Sequence, residues 1–413
     1  MDLQPRIDSM PVEVIEEILS QLALPDICSL RLAGRKLNAR SSQGIFKSYF
    51  RSKTIMMGAS EQLHQAVQVT QGQGFGCFLE HLTLVGPARP DNEEGWPKEA
   101  AVLILFQQFM KDLGLNVAGG CLQSVSLTVN NEDRTTGSDW EAAAKCFEHT
   151  MLALDANQLP IKSLDVFWGV KRCRLSIDQL PTILELNLSA SLQHLKCLSM
   201  SLSHHVAYEP GRSRVPTSEP NGKEMRALAT GKRNTDALCK FLQCCPVLED
   251  LQFHWYKLYL SKLSHASNEE QRFFNRVAKS CQFPFLKRCT LKGIETSQTA
   301  LLSFLRQVQL NSIVMEEVRL RTGKFGPVFD YLVERMEQLE YLHFDNLRER
   351  DLIYFDAPGK PHFCCPGMGP NALTRSGTDA RMPIKYRFYN GSMSGEIEVT
   401  RWIIKRQREY GPR

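Results

Sequence analysis

Hydrophobic positions in the first fifty residues fall at helical spacing. Ile15, Ile18, Leu19 and Leu22 occupy i, i+3, i+4 and i+7, the apolar stripe of one helix. Pro11 stands at its first position, and Glu13, Glu16 and Glu17 favour the positive end of its dipole. After Pro25-Asp26 a second stripe runs through Ile27, Leu30 and Leu37, interrupted at Gly34. A third, short stripe holds Ile45, Phe46, Tyr49 and Phe50. Three short helices over about forty residues enclose too little interior to bury this much apolar surface alone. The residual face needs a partner, either the rest of the chain or another protein.

From residue 79 the period changes. The pattern apolar-x-x-apolar-x-apolar recurs at Leu79/Leu82/Leu84, Leu122/Val125/Leu127, Ile161/Leu164/Val166 and Leu195/Leu198/Met200. It continues at Leu248/Leu251/Phe253, Leu286/Cys289/Leu291, Met315/Val318/Leu320 and Leu339/Leu342/Phe344. Helical stripes stand between most of these strands. One runs from Leu103 through Phe106 and Met110 to Leu113, ending at Gly114; another holds Ala143, Phe147, Thr150 and Leu154. A third, Leu238, Phe241, Leu242 and Cys245, is opened by Thr235 as N-cap. Ser297 opens Leu301, Phe304 and Leu305, and Gly326-Pro327 opens Phe329, Leu332 and Met336. A short strand plus a helix, repeated, cannot bury its apolar face until neighbours stack on it. The array therefore resembles a leucine-rich-repeat solenoid with long, irregular units. It departs from that pattern in one respect: the Asn or Cys expected three positions after the last apolar residue occurs only at Asn130. A generic α/β domain is the other reading of the same spacing.

The N-terminal stretch carries a second resemblance. Met10 to Asn38, M-P-V-E-V-I-E-E-I-L-S-Q-L-A-L-P-D-I-C-S-L-R-L-A-G-R-K-L-N, resembles an F-box of the fungal type. Pro11, Glu13, Ile18, Leu19, Leu22, Asp26, Leu30, Arg31, Leu32, Arg35 and Leu37 fall on the family's positions. Met10 stands where the family has Leu, and Ala33-Gly34 where it has Val-Cys or Val-Ser. The resemblance implies docking on the Skp-type adaptor of an SCF (Skp–cullin–F-box) ubiquitin ligase, and through it on a cullin. The adaptor-binding residues it implies are Met10, Pro11, Ile15, Ile18, Leu19, Leu22, Ile27, Leu30, Leu32 and Leu37.

Two stretches break the repeat rhythm. Residues 204–234 gather Pro, Gly and six basic residues into a segment read as a flexible insert. Asp351 to Arg381 is similarly rich in Pro and Gly, after which Tyr386 to Gly391 reads as a strand entering a turn, with Glu396 to Val399 returning. The expected organisation is an F-box helical module at 1–52 and a linker or first helix at 53–78. An irregular α/β solenoid follows at 79–350, then a C-terminal segment at 351–413 with loop, hairpin and basic tail from Thr400.

Composition narrows the function without naming it. The balance of 50 Lys+Arg against 45 Asp+Glu leaves +5, too slight a charge to imply nucleic acid. No apolar run approaches the ~20 residues of a membrane span, and Asp2, Arg6 and Asp8 interrupt any secretory signal. The expectation is an intracellular protein of cytoplasm or nucleus. Thirteen cysteines without a C-x-x-C read as reduced core thiols rather than zinc ligands, Cys244-Cys245 and Cys364-Cys365 beside His362 included. No phosphate-cradling loop, H-E-x-x-H or nucleophile elbow occurs, so neither a cofactor nor a catalytic residue is assigned.

The leading expectation is therefore a non-catalytic substrate receptor that holds a target near the ligase and raises its effective concentration. A repeat-based scaffold whose helices merely cap the array, and an enzyme with a spatially assembled site, are the alternatives. In each strand the residues between the apolar positions point outward. In the C-terminal units these are Asp250, Gln252, His254; Arg288, Thr290, Lys292; Glu317, Arg319, Arg321; and Tyr341, His343, Asp345. Arg288, Lys292, Arg319 and Arg321, flanked by Tyr341 and His343, form a candidate basic patch for an acidic or phosphorylated target segment. A solvated face neutralised by Glu317 and Asp345 is the other reading.

Overall fold

The computed structural model describes residues 7–71, 75–86, 99–129, 138–170, 173–203, 231–255, 273–361 and 368–388. It is mixed α/β, built on one large, mostly parallel sheet. The strands that carry it are β1 (Ser52–Met56), β2 (His81–Gly86), β3 (Ser124–Val129) and β4 (Ser163–Val166). The short β5 (Leu175–Ser176) precedes β6 (Cys197–Ser203), β7 (Asp250–Trp255) and β8 (Arg288–Lys292). After β9 (Glu295–Ser297) come β10 (Ser312–Glu316), β11 (Arg319–Thr322), β12 (Tyr341–Asp345), β13 (Ile353–Phe355), β14 (Ala372–Ser376) and β15 (Tyr386–Phe388). The large sheet runs in chain order, β1-β2-β3-β4-β6-β7-β8-β10-β12-β14, with β5 beside β6. Only the last pairing, β12 with β14, is antiparallel.

Parallel neighbours need a crossover, and helices supply it. After α1 (Val12–Ser20), α2 (Leu24–Leu32), α3 (Arg35–Ser41) and α4 (Gly44–Ser48), one helix spans each early strand pair: α5 (Ser60–Thr70), α6 (Glu99–Asn116) and α7 (Ser138–Asn157). The β4-to-β6 crossover holds the 3-10 turns of Ile177–Glu185 and α8 (Ser189–Leu192). Later crossovers carry α9 (Lys232–Gln243), α10 (residues 273–280), α11 (Gln298–Leu305) and α12 (Gly326–Arg335). Ser297 caps α11, its hydroxyl accepting the Ala300 N–H, and Pro327 sits in the first turn of α12, both as the sequence predicts.

Strand alternation sorts the two faces. Leu84, Leu127, Val166, Met200, Phe253, Leu291, Met315 and Phe344 stack along one inner row, all buried. A single apolar core runs behind this row from Ile55 to Ala380. The outward row between the apolar positions is polar except at Val314: Thr54, Thr83, Ser126, Asp165, Ser199, Gln252, Thr290, Val314, His343 and Thr374.

Several expectations are corrected. The sheet begins at Ser52, where β1 pairs in register with β2, so within 53–78 the expected helix, α5, is present and is preceded by a strand rather than a linker. The N-terminal stripes form four helices, because Gly34 divides α2 from α3. Helix α6 passes through Gly114 to Asn116, whose amide donates to Thr70 O at 2.9 Å. Thr235 is no N-cap: α9 starts at Lys232, with Asn234 and Thr235 on its buried side. The seventh repeat is one period off. Leu310/Ile313/Met315, not Met315/Val318/Leu320, aligns with Cys289 and Leu291 on one side and Leu342 and Phe344 on the other. The 351–381 stretch is not merely loop, since β14 closes the sheet edge. Strand β15 pairs antiparallel with β13. Asn130, most of the 204–234 insert, His362, Cys364-Cys365, 396–399 and the tail from Thr400 lie outside the described residues.

The register shift has a local cause. Gly293, Glu317 and Asn346 each follow a strand and take positive φ values of 68°, 56° and 51°. Their N–H groups donate across to Glu316, Asp345 and Asn371 carbonyls, so the three units turn off the sheet together. Val318 and Leu320 belong to that turn and to β11, which pairs with β9 and bridges to Arg348 rather than joining the large sheet. At Gly293 a side chain is excluded outright, because a Cβ would lie 2.0 Å from the Trp255 carbonyl oxygen.

Candidate functional site

Two surfaces carry the sequence-predicted residues. The first is the helical module α1–α4. Ile15, Leu19, Ile27 and Phe46 form a small core of their own, separate from that of the sheet, with Met10, Leu22 and Leu30 half-buried against it. Polar contacts knit the module together. Glu16 Oε2 accepts the Ile45 N–H at 2.9 Å, Tyr49 donates to Leu22 O at 3.0 Å, and the Arg31 guanidinium lies 3.7 Å from the Phe46 ring centroid. Lys47, 5.2 Å from the Phe78 ring centroid, marks where α4 meets the body.

Burial divides the ten adaptor candidates. Ile15, Leu19, Ile27 and Leu37 are buried inside the module and are not available to a partner, which corrects their assignment as contact residues. Ile15 and Leu19 of α1 pack with Ile27 of α2 and Phe46 of α4 instead. Ile18 is half-buried, Pro11 is exposed, and Leu32 at the end of α2 is 88% exposed. The sequence reading missed Val12 and Val14, which are 42% and 43% exposed on α1. Val14 and Ile18 are four apart, so a second apolar stripe on the same helix was the signal available.

The second surface is the outward face of the sheet, and here the proposed basic patch dissolves. Arg288 and Lys292 lie on β8, but Arg319 and Arg321 lie on β11 in a different sheet, a consequence of the register correction. Three of the four charges are also matched within the chain. Arg288 Nε meets Asp250 Oδ2 at 2.8 Å, Lys292 Nζ meets Glu316 Oε2 at 2.8 Å, and Arg321 pairs with the buried Glu295. Hydrogen bonding from Asp250 raises the Arg288 pKa further, holding its charge on the pair. Asp250, Glu316 and Glu295 are thus neutralising acids on this face, and the sequence reading did not name them. Tyr341 is exposed in register with Ser312, and His343 shares a 2.8 Å hydrogen bond with Thr374 across β12 and β14.

A band of charge runs along the sheet where the strands begin. Glu249 takes Lys196 at 2.7 Å and Lys287 at 2.8 Å, and those two hydrogen bonds hold its pKa down at about 2. Further along the outward face, Asp165 is a half-buried carboxylate with no ion-pair partner among the described residues; its Oδ1 accepts the Trp168 N–H at 2.8 Å. Burial pushes its pKa up, opposed by that backbone hydrogen bond.

The thiols support no metal centre among the described residues, where no group of three or more His, Cys, Asp or Glu could hold an ion. Cys245 is buried, its thiol donating to Phe241 O at 3.5 Å, and burial raises its pKa. Cys244 accepts a 3.8 Å contact from the Ser189 hydroxyl. No described helix is long and apolar enough to cross a membrane. Compared with known proteins, the chain matches no family model and no curated sequence. Function has to be argued from the residues themselves.

Proposed function

We propose that this protein is a substrate receptor of an SCF-type ubiquitin ligase. In that reading α1–α4 are an F-box that docks on a Skp-type adaptor, and the strand–helix units are a leucine-rich-repeat solenoid that holds the target. The observation that carries it is the separate core of the N-terminal module. A helical cap would merge its apolar face with the array; here Ile15, Leu19, Ile27 and Phe46 close on one another. Val12, Val14 and Leu32 are left outward, the face a docking module needs. Parallel strands β1 to β12 of the large sheet, paired in chain order and joined through crossovers, are what stacked repeats require. Ubiquitin transfer needs no chemistry from this chain in such an assembly, because other subunits perform it.

The test is co-purification of the tagged full chain with a Skp-type adaptor and a cullin. Leu32→Asp places a charge on a residue that is almost fully exposed in the free protein, so folding is unaffected. In a desolvated interface the same charge costs several kcal/mol, enough to abolish a micromolar complex. Capture of adaptor by the wild type and its loss in Leu32→Asp, at unchanged melting temperature, is the expected result. Absence of adaptor from the wild-type complex overturns the reading. Leu22 is a poorer probe, since it packs against the module's core.

A further inference from the structure

Several charged side chains of the C-terminal units are matched inside the chain, whereas Asp165 has no ion-pair partner among the described residues. In the C-terminal units Arg288, Lys292 and Arg321 face Asp250, Glu316 and Glu295. Asp165 faces none: one oxygen accepts the Trp168 N–H, and Oδ2 has no hydrogen-bond donor among the described residues. Taking a carboxylate partly out of water is costly unless a cation repays it. The Asp165 pKa is raised, with burial as the main cause and the Trp168 N–H opposing the rise.

The surroundings define what would repay it. Strand β4 ends at Val166, and the buried Phe167 takes a left-handed conformation with φ 59°, turning the chain back over the sheet. Trp168, half-buried, then packs edge-on against His254, with ring centroids 6.0 Å apart at 74°. His254 is in register with Ser201, and Asp165 with Ser199, so all four share the outward face of β4, β6 and β7. A second observation is independent of the carboxylate. Ser201 is fully buried, and its hydroxyl has no hydrogen-bond partner. A carboxylate lacking a cation, a buried hydroxyl lacking a partner and an indole therefore converge on one stretch of the face.

We propose that this stretch is a binding site for a cationic side chain of the target, by preference an arginine. A guanidinium is planar, stacks on an indole, and carries enough N–H donors to reach Asp165 Oδ2 and the Ser201 hydroxyl together. The proposal deepens the receptor reading and rests on it for the identity of the ligand as a protein segment. It replaces the acidic or phosphorylated target segment with one of opposite charge.

The test uses the full chain labelled with 5-fluorotryptophan, whose five tryptophans give five fluorine signals. The Trp168 signal is assigned as the one lost in Trp168→Phe. N-acetylarginine methylamide is titrated against it, with the neutral citrulline analogue as control. The expected result is a saturable shift of the Trp168 signal with the arginine probe and none with citrulline. Asp165→Asn keeps the acceptor for the Trp168 N–H and should weaken the response about tenfold. An unmoved Trp168 signal, or equal responses to both probes or in both proteins, overturns the site. If Asp165→Asn collapses the other four signals, the variant has unfolded, and the citrulline comparison on the native chain decides alone. Adaptor capture is measured on the same preparations. Its absence with the arginine response intact overturns the receptor reading only, and its presence without that response overturns the site only.

Discussion

The N-terminal module and the sheet body use the same apolar residues to different ends. In the body each strand–helix unit presents its apolar row to the next, and the core continues without a break from Ile55 to Ala380. In the module four short helices close on Ile15, Leu19, Ile27 and Phe46, and the remaining apolar side chains stay at the surface. A periodic array hands its leftover surface to a neighbour, whereas a four-helix unit of some forty residues has none to hand it to. The difference teaches that exposed Val12, Val14 and Leu32 are not an accident of composition. They are what remains when a small module is not absorbed into a large one.

That contrast can be broken most forcefully at two phenylalanines. Phe304 is fully buried in the body, with ring centroids 5.4 Å from Phe274 and 5.9 Å from Phe283, so it ties consecutive units together. Phe304→Ala should cost about 3–5 kcal/mol and lower the main calorimetric transition. Phe46→Ala removes a ring of the same size from the module and should abolish adaptor capture while leaving that main transition in place. If both variants lower the same single transition equally, the module and the body fold as one unit and the contrast fails.

A smaller effect is expected where the C-terminal strands attach. Tyr386 on β15 donates to Glu349 Oε1 at 2.7 Å and accepts the Gly326 N–H at 3.0 Å, while Glu349 also takes the Phe325 N–H at 2.7 Å. The phenol thereby closes the entry to α12, and its pKa is raised by burial and by the Glu349 carboxylate. Tyr386→Phe leaves a buried carboxylate and an amide short of partners and should cost about 1–3 kcal/mol, read from urea midpoints. No loss at all would mean that β13 and β15 add nothing to the body.

Smaller still is the acid response of the charge band. Glu249 has a folded pKa of about 2, below its unfolded value near 4.3, so its contribution is complete above that unfolded value. It is lost as pH falls from there towards 2. The melting-temperature gap between wild type and Glu249→Gln should therefore be constant from neutrality to about pH 5 and close below it. A gap that persists at pH 2 would assign the effect to packing rather than charge. The smallest change is expected at Leu32, where Leu32→Ser should alter stability by no more than about 0.5 kcal/mol, because the side chain touches so little of its own protein. A larger loss there would place Leu32 in the module's core after all.

Local spacing determined most of the secondary structure. Alternation fixes which side chains of a strand share a face, and a 3.6-residue period fixes a helical stripe, so seven of the eight repeat strands and the caps at Ser297 and Pro327 were legible without coordinates. The exception was decided by neighbours. Leu310/Ile313/Met315 and Met315/Val318/Leu320 obey one pattern, and only the register against β8 and β12 selects the first. Strands β1 and β14 were hidden for the same reason, since each owes its place to the edge it pairs with rather than to a strong pattern of its own. The site followed suit. Residue type marked Arg288, Lys292, Arg319 and Arg321 as basic, but charge acts over a few ångströms of space, and pairing partners from distant parts of the chain decided which acids they meet. Helical spacing likewise placed Ile15, Ile18, Leu19 and Leu22 on one stripe of α1, while Val14, four before Ile18, was missed. Which of these became core and which stayed outward was settled when α1 packed against α2 and α4, because burial depends on what the rest of the chain brings to each face.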